Sequence, residues 1–218
     1  MWNSNVEELE HYEHNDVDES FAKQQLAPRA RSEQSKLLGL PWNKREDTLS
    51  VVFPLKSTNT TKRGILSTLA NVYDPLGFVS PTMLEGKLIY RKACKQKTAW
   101  DAALPTEVTE LWDKFEHNLP SSVSMQRSLV AFQEPLNHVT IHVFGDASGK
   151  GVCAAVYTVV SQESGTTQGL LTAKSRVAKQ GLTIPRLELI AGHMAVNLAV
   201  NVRDSLTNLP VDPMIHCC

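Results

Sequence analysis

A change in hydrophobic period near residue 128 constrains the fold more than any other feature of the chain. In "HVTIHVF" the apolar residues Val139, Ile141 and Val143 alternate with polar ones, and "GVCAAVYTVV" and "GLLTAKSRVA" repeat this pattern after short connections. A period of two is typical of strands, and strands joined by short connections pair in antiparallel order. The pattern therefore predicts an antiparallel three-stranded meander.

A helix and a fourth strand follow the meander. "TIPRLELIAGHMAVNLAVNVRDSL" predicts a helix, with Thr183 as its cap and Pro185 near its first turn. Its apolar stripe has helical spacing and comprises Leu187, Ile190, Ala191, Met194, Leu198 and Val202. "PVDPMIHCC" then begins a fourth strand, so the fold class is mixed α/β.

The region before residue 128 predicts a hairpin and three helices. "SKLLGLPW" and "DTLSVVFPL" are apolar runs around the polar turn "NKRE", and residues 1–35 predict a short helix or an irregular segment. Two helices flank the break Asp74-Pro75-Leu76-Gly77, and the second begins near Ser80 as its cap. Residues 105–118 predict a third helix, whose buried face carries Val108, Leu111, Trp112 and Phe115.

Composition excludes several classes of protein. The chain has 218 residues, a net charge of −1 and 42% hydrophobic residues, which suits one large domain or two small ones with a buried core. It contains neither a signal-peptide pattern nor an apolar run of membrane-spanning length. Cysteines 94, 153, 217 and 218 form no C-x-x-C pair. We therefore expect an intracellular protein, cytoplasmic or nuclear, with reduced thiols and no membrane partner.

Charge is distributed unevenly along the chain. Residues 1–20 contain seven acids and no Lys or Arg, whereas residues 61–97 contain seven bases and two acids. Lys87, Arg91 and Lys95 are spaced four residues apart on one predicted helix, so we expect them to share a face, with Lys92 beside them. This face is either a solvated helix side or a phosphate-binding surface.

Asp146 stands at the end of the first strand of the meander, in "FGDASGKG". Aspartate is common where a strand enters a turn, so an ordinary turn residue is one interpretation. A phosphate-binding P-loop is excluded, because three residues rather than four separate Gly145 and Gly149, and Gly151 replaces the Ser or Thr that would hold magnesium. The other interpretation is a metal-binding carboxylate.

Glu188 lies one turn into the helix that follows the meander, on a face that continues through Gly192, Ala195 and Ala199. It is either a surface glutamate that complements the helix dipole or an acid held against the sheet. A meander followed by a helix brings the start of that helix back over the sheet, where the carboxylates of Asp146 and Glu188 could converge. Converging carboxylates are the ligands that magnesium prefers, and a two-metal site can cleave phosphodiesters.

Several segments in collinear order resemble one family. "FGDASGKGVCAAVYTV", "LLTAKSRVAK" and "LTIPRLELIAGHMAVNLA" resemble the ribonuclease H segment of BEL/Pao-type LTR retrotransposon polyproteins. "KRGILSTLANVYDPLGFVSPTMLEGKLIYR" resembles the preceding segment of those polyproteins, which is often labelled Pao retrotransposon peptidase. "WNSN" and "SKLLGLPWNKREDTLSVVF" resemble the end of the reverse transcriptase.

The resemblance implies three regions and a site. Residues 1–60 would be a C-terminal remnant of reverse transcriptase, 61–127 a helical connection and 128–218 a truncated ribonuclease H-like domain with a partial mixed sheet. Asp146 and Glu188 would be the catalytic, magnesium-binding carboxylates of a two-metal site. Lys87, Arg91, Lys92 and Lys95 would bind the phosphates of an RNA–DNA hybrid or template–primer duplex. The remainder of the polyprotein would be a further partner.

The resemblance also implies a limit on activity. The third acid of the family lies at the end of the fourth strand, and the sequence stops at "MIHCC" before one is reached. We therefore expect weak or absent nuclease activity in the chain as given. The alternative is a non-catalytic nucleic-acid-binding or relic protein. A remoter one is an aspartic peptidase, although the chain has neither Asp-Thr-Gly nor Asp-Ser-Gly.

Overall fold

The computed structural model describes residues 34–54, 60–206 and the backbone of 211–217. The acidic segment 1–20 and nearly all of the predicted segment 1–35 lie outside these residues. The described residues form two compact units, one that contains 34–50 with 124–128, and the other that contains the rest of them. The three-part division at residues 60 and 127 stays a prediction.

The first sheet contains four strands in sequence order, β1 (Gln34–Leu37), β2 (Leu40–Asn43), β3 (Thr48–Val52) and β4 (Ser122–Gln126). The predicted hairpin is β2 and β3, which pair in antiparallel order. The run "SKLLGLPW" contains β1 as well as β2, because Leu38 and Gly39 both have positive φ and turn the chain between these two strands. Strand β4 has no counterpart among the predicted elements.

A polar cluster fixes the turn between β2 and β3. Asp47 accepts hydrogen bonds from the Trp42 indole at 2.9 Å and from both Nε and Nη2 of Arg127. Partial burial acts to raise the pKa of Asp47, but the hydrogen bonds from Arg127 and Trp42 and the charge of Arg127 lower it below its usual value. This cluster is structural, since all three side chains are engaged with one another.

Three helices pack around a hydrophobic core of their own. They are α1 (Lys62–Ala70), α2 (Ser80–Cys94) and α3 (Thr106–Asn118). Their apolar faces enclose Ile65, Ile89, Ala93, Leu104, Val108, Trp112 and Phe115. Leu111 was predicted to be buried with this face, but it is 39% exposed. The predicted cap Ser80 is instead the first residue of α2, and Val79 occupies the cap position.

The second sheet carries the predicted meander. Strands β5 (His138–Ala147), β6 (Gly151–Gln162) and β7 (Gly165–Val177) are antiparallel neighbours, and β8 (Val211–Cys217) pairs parallel to β5, in the order β7-β6-β5-β8. Helix α4 (Ile184–Ser205) covers the apolar face of β5 and β6. The mixed α/β class and the order strand–strand–strand–helix–strand are confirmed. No helix among the described residues is both long and apolar enough to cross a membrane.

The turn before α2 covers the edge of β7. The carbonyl of Leu76 accepts hydrogen bonds from the Ala173 N–H at 2.8 Å and from the Thr172 hydroxyl at 3.0 Å. Asp74 holds this turn, because its carboxylate accepts the backbone N–H groups of the three residues Gly77, Phe78 and Val79 at 2.9–3.0 Å. The prediction of a structural break at Asp74 is thus explained, and a strand edge that could pair with other chains is blocked.

Candidate active site

Asp146 lies within β5, directly opposite Cys153 of β6, and its side chain is exposed. The turn that follows is closed by Ser148 instead. The Ser148 N–H donates to the Gly151 carbonyl at 2.8 Å, and its hydroxyl oxygen accepts the N–H groups of Lys150 and Gly151 at 3.3 Å. The turn is therefore satisfied without the carboxylate of Asp146, which stays available to a ligand.

Close packing of α4 on β5 brings the start of the helix to the same place. A Cβ added to Gly145 would lie 3.0 Å from the Ala191 carbonyl oxygen and 3.2 Å from the Ala195 Cβ. Only glycine permits this approach without a shift of the helix. Glu188 lies one turn before Ala191 on α4 and is exposed, beside the buried Leu187. Gly145 therefore fixes where the helix, and with it Glu188, meets the strand that carries Asp146.

The small-residue face of α4 differs from the one predicted. Ala191, Ala195 and Ala199 are buried against the sheet, whereas a Cβ added to Gly192 would meet no atom within 4 Å. The prediction that Gly192 belongs to this face is wrong. Ala191 takes its place in the contacting face, while Ala195 and Ala199 belong to that face as predicted.

One thiol is influenced by both carboxylates. Burial raises the pKa of Cys153, a backbone hydrogen bond with Asp146 lowers it, and the negative charges of Asp146 and Glu188 raise it further; the net pKa lies above its usual value. The charges of both carboxylates therefore reach this thiol, which faces the end of β5. Sequence reasoning missed Cys153 as their neighbour, although the register of a tight hairpin would have placed it opposite Asp146.

The two carboxylates suit a hard divalent cation in chemistry but not in number. Oxygen ligands are those that magnesium prefers. Among the residues whose side chains are described, no group of three or more His, Cys, Asp or Glu is arranged to hold a metal ion. Asp146 and Glu188 could therefore supply part of a magnesium site, and further ligands would have to come from elsewhere.

The predicted basic face is divided between several environments. On α2, Lys87 is exposed, Arg91 donates from Nη1 to the Ala178 carbonyl at 2.8 Å, and Lys92 pairs with Glu107 of α3. Lys95 follows the helix and is exposed. The four residues therefore do not form one uniform solvated surface.

Three of these four residues line a cleft. Arg91, Lys92 and Lys95, together with Leu88, Lys150 and Gln180, enclose a volume of about 310 Å³. Lys87 is not part of the lining. Sequence reasoning missed Lys150 and Gln180, because they lie more than 50 residues from α2 in the chain and no local pattern links them to that helix.

Comparisons with known proteins give two findings. The family model described as "Pao retrotransposon-like RNaseH-like domain" matches residues 61–216. The structure of the foamy viral protease-reverse transcriptase dRH in complex with double-stranded DNA aligns with 12% identity and a TM-score of 0.42, covering 85% of this chain and 31% of that one. A comparison with curated proteins finds no match.

Proposed function

The chain belongs to the family of Pao retrotransposon-like RNaseH-like domains, and from that membership we propose that it is part of a retrotransposon polymerase polyprotein whose ribonuclease H-like region cleaves RNA in RNA–DNA hybrids with magnesium. The observation that carries this proposal is the close packing of α4 on β5 at Gly145, because Glu188 lies one turn before Ala191 on that helix and Asp146 follows Gly145 on that strand. The charges of both carboxylates also raise the pKa of Cys153. The alternative, an ordinary turn aspartate, is disfavoured because Ser148 already closes the turn.

Asp146 and Glu188 would hold the metal in this proposal. When bound, magnesium would supply an activated water and charge stabilisation for the departing oxygen of the phosphodiester. The residues themselves orient the site: the contact of Gly145 with α4 fixes the helix that carries Glu188 against β5, and the hydrogen-bonded turn at Ser148 follows Asp146 directly. Both acids are exposed, so a nucleic-acid strand could reach them from solvent.

A third carboxylate would complete the proposed site, and the strand register suggests its position. In the parallel pair, Ile141 is level with Ile215, His142 with His216 and Val143 with Cys217. A strand continued in this register would bring the residue three positions beyond Cys217 level with Asp146. We infer that an acid at that position would complete the site, and that the 218-residue chain alone cleaves weakly or not at all.

A cleavage assay with two chain lengths tests the proposal. A labelled RNA–DNA hybrid is incubated with magnesium and either the 218-residue chain or a chain extended by a serine and an aspartate, which puts the acid level with Asp146. We expect faster cleavage by the extended chain and at least about a hundredfold loss on Asp146→Asn, since even mutations behind metal ligands cost 10–100-fold. An extension that ends in serine and asparagine is the matched control.

The outcomes separate the proposal from its alternative. Cleavage that survives Asp146→Asn in both chains would refute the proposed site. Strong, Asp146-dependent cleavage by the 218-residue chain would keep the nuclease but contradict its expected weakness. Binding of the hybrid without cleavage by either chain would favour the non-catalytic nucleic-acid-binding function. That alternative is motivated by the incomplete set of ligands among the described residues.

A further inference from the structure

The lined cleft between α2, the β5–β6 turn and the segment after β7 carries an excess of positive charge. Its lining contains Arg91, Lys92, Lys95 and Lys150, and the described lining contains no acidic residue. Glu107 pairs with Lys92 from α3, but the carboxylate is 74% exposed. Exposed ion pairs contribute at most about 1 kcal/mol, so a phosphate could compete for this lysine. A concave surface of one charge sign concentrates its field on an anion.

Backbone hydrogen bonds fix the cleft in place. The peptide groups of Ala178, a buried residue, join two sides of it: the Ala178 N–H donates to the Lys150 carbonyl at 3.0 Å, and its carbonyl accepts from Arg91 at 2.8 Å. The guanidinium has five N–H donors, and this bond uses one. The arginine is therefore oriented before any ligand arrives, which lowers the entropic cost of binding.

Helix packing connects the same cleft to the β5–β6 turn. A Cβ added to Gly151 would lie 2.7 Å from Leu84 Cδ2, so α2 rests directly on the start of β6. The Ser148 hydroxyl holds the Lys150 N–H in the same turn. Lys150 follows Asp146 by four residues, so one short, hydrogen-bonded turn links the cleft to the strand that carries the carboxylate.

We propose that this cleft binds one backbone phosphate of the nucleic-acid substrate and thereby sets the position of the strand relative to Asp146 and Glu188. The proposal rests on the proposed function for the identity of the substrate. It assigns roles to Lys150 and Gln180, and it separates Arg91, Lys92 and Lys95, which line the cleft, from Lys87, which does not. Phosphate contacts of this kind fix register without reading sequence.

Equilibrium binding of a short RNA–DNA hybrid to the full 218-residue chain, measured by fluorescence anisotropy with calcium in place of magnesium, tests the cleft apart from cleavage. Lys150→Gln should weaken binding about tenfold near 0.1 M salt and reduce the slope of log K against log salt by about 1. Lys87→Gln, an exposed lysine outside the cleft, is the matched control, and Lys150→Arg should retain affinity. Equal losses for Lys150→Gln and Lys87→Gln, or none for Lys150→Gln, would overturn the proposal.

A scan of single neutral methylphosphonate linkages along the hybrid tests for a single bound phosphate. We expect one linkage whose neutralisation weakens binding to the native chain but not to Lys150→Gln. An equal loss of binding at every linkage would show that no single phosphate is bound, and would overturn the proposal. If inorganic phosphate protects Lys150 from acylation while the hybrid does not, the cleft binds small anions and the proposal fails. Lys150-dependent binding in a chain that never cleaves would keep the cleft and refute only the nuclease.

Discussion

Asp74 and Asp146 begin two segments of the same form, Asp-Pro-Leu-Gly and Asp-Ala-Ser-Gly, yet the fold treats the two carboxylates in opposite ways. The carboxylate of Asp74 accepts three backbone N–H groups and is half-buried. Asp146 is exposed, and Ser148 performs the corresponding task in its turn. A carboxylate remains available to a ligand where another side chain accepts the backbone hydrogen bonds of the turn.

The largest expected effect breaks this comparison at Asp74. Asp74→Ala should lower the free energy of unfolding by about 3 kcal/mol, because three backbone N–H groups lose a charged acceptor. The loosened turn should also uncover the edge of β7, which it blocks through Leu76 and Ala173. Denaturant unfolding measures the change.

The matched variant is Asp146→Ala, which should change the free energy of unfolding by no more than about 0.5 kcal/mol, as is usual for exposed positions. Comparable destabilisation by the two variants would show that Asp146 also has a structural role, and would weaken its assignment as a ligand.

A smaller effect is expected where strand and helix touch. Gly145→Ala should destabilise the chain by about 1 kcal/mol, since the added methyl group would lie 3.0 Å from the Ala191 carbonyl oxygen and force a shift of α4. The same shift moves Glu188 relative to Asp146, so cleavage by the extended chain should fall as well.

Gly149→Ala is the control for this substitution, because its added Cβ would meet no atom within 4 Å. It should leave both stability and cleavage nearly unchanged. Cleavage that is insensitive to Gly145→Ala would indicate that the separation of the two carboxylates does not depend on this contact.

Local patterns predicted the elements better than the contacts between them. Strands β5–β7 and helix α4 follow from periods of 2 and 3.6, and the convergence of Asp146 with Glu188 was inferred from their order. The turn at Leu38 was missed because a non-glycine residue with positive φ leaves no hydrophobic signal. The cleft was missed because Arg91 and the Ala178 carbonyl are 87 residues apart, and only tertiary packing joins them.

The partners of two basic residues on α1, Lys62 and Arg63, were also not predictable from local sequence patterns. Of the seven bases in residues 61–97, Lys62 is buried and donates to the Gln96 and Thr98 carbonyls, and Arg63 pairs with Asp101. These two side chains hold α1 to the segment after α2. The excess of basic residues in 61–97 therefore overstates the positive charge available to a phosphate. Of the four basic residues on α2 and at its end, three line the cleft.

The smallest expected effect sharpens the comparison at Asp146 itself, with Cys153 as reporter. In a chain with serine at positions 94, 217 and 218, Cys153 is the single thiol, and the charges of Asp146 and Glu188 help to raise its pKa. Below that pKa, the rate of alkylation follows the thiolate fraction. Asp146→Asn removes one negative charge, lowers the pKa and should speed alkylation by at most about fivefold, since unit charges 4 Å apart in water interact by about 1 kcal/mol.

Magnesium bound between the carboxylates should accelerate alkylation in the parent chain but much less in Asp146→Asn. An equal response of both chains to magnesium would place the ion elsewhere, whereas a response confined to the parent chain would identify Asp146 as a ligand independently of any cleavage.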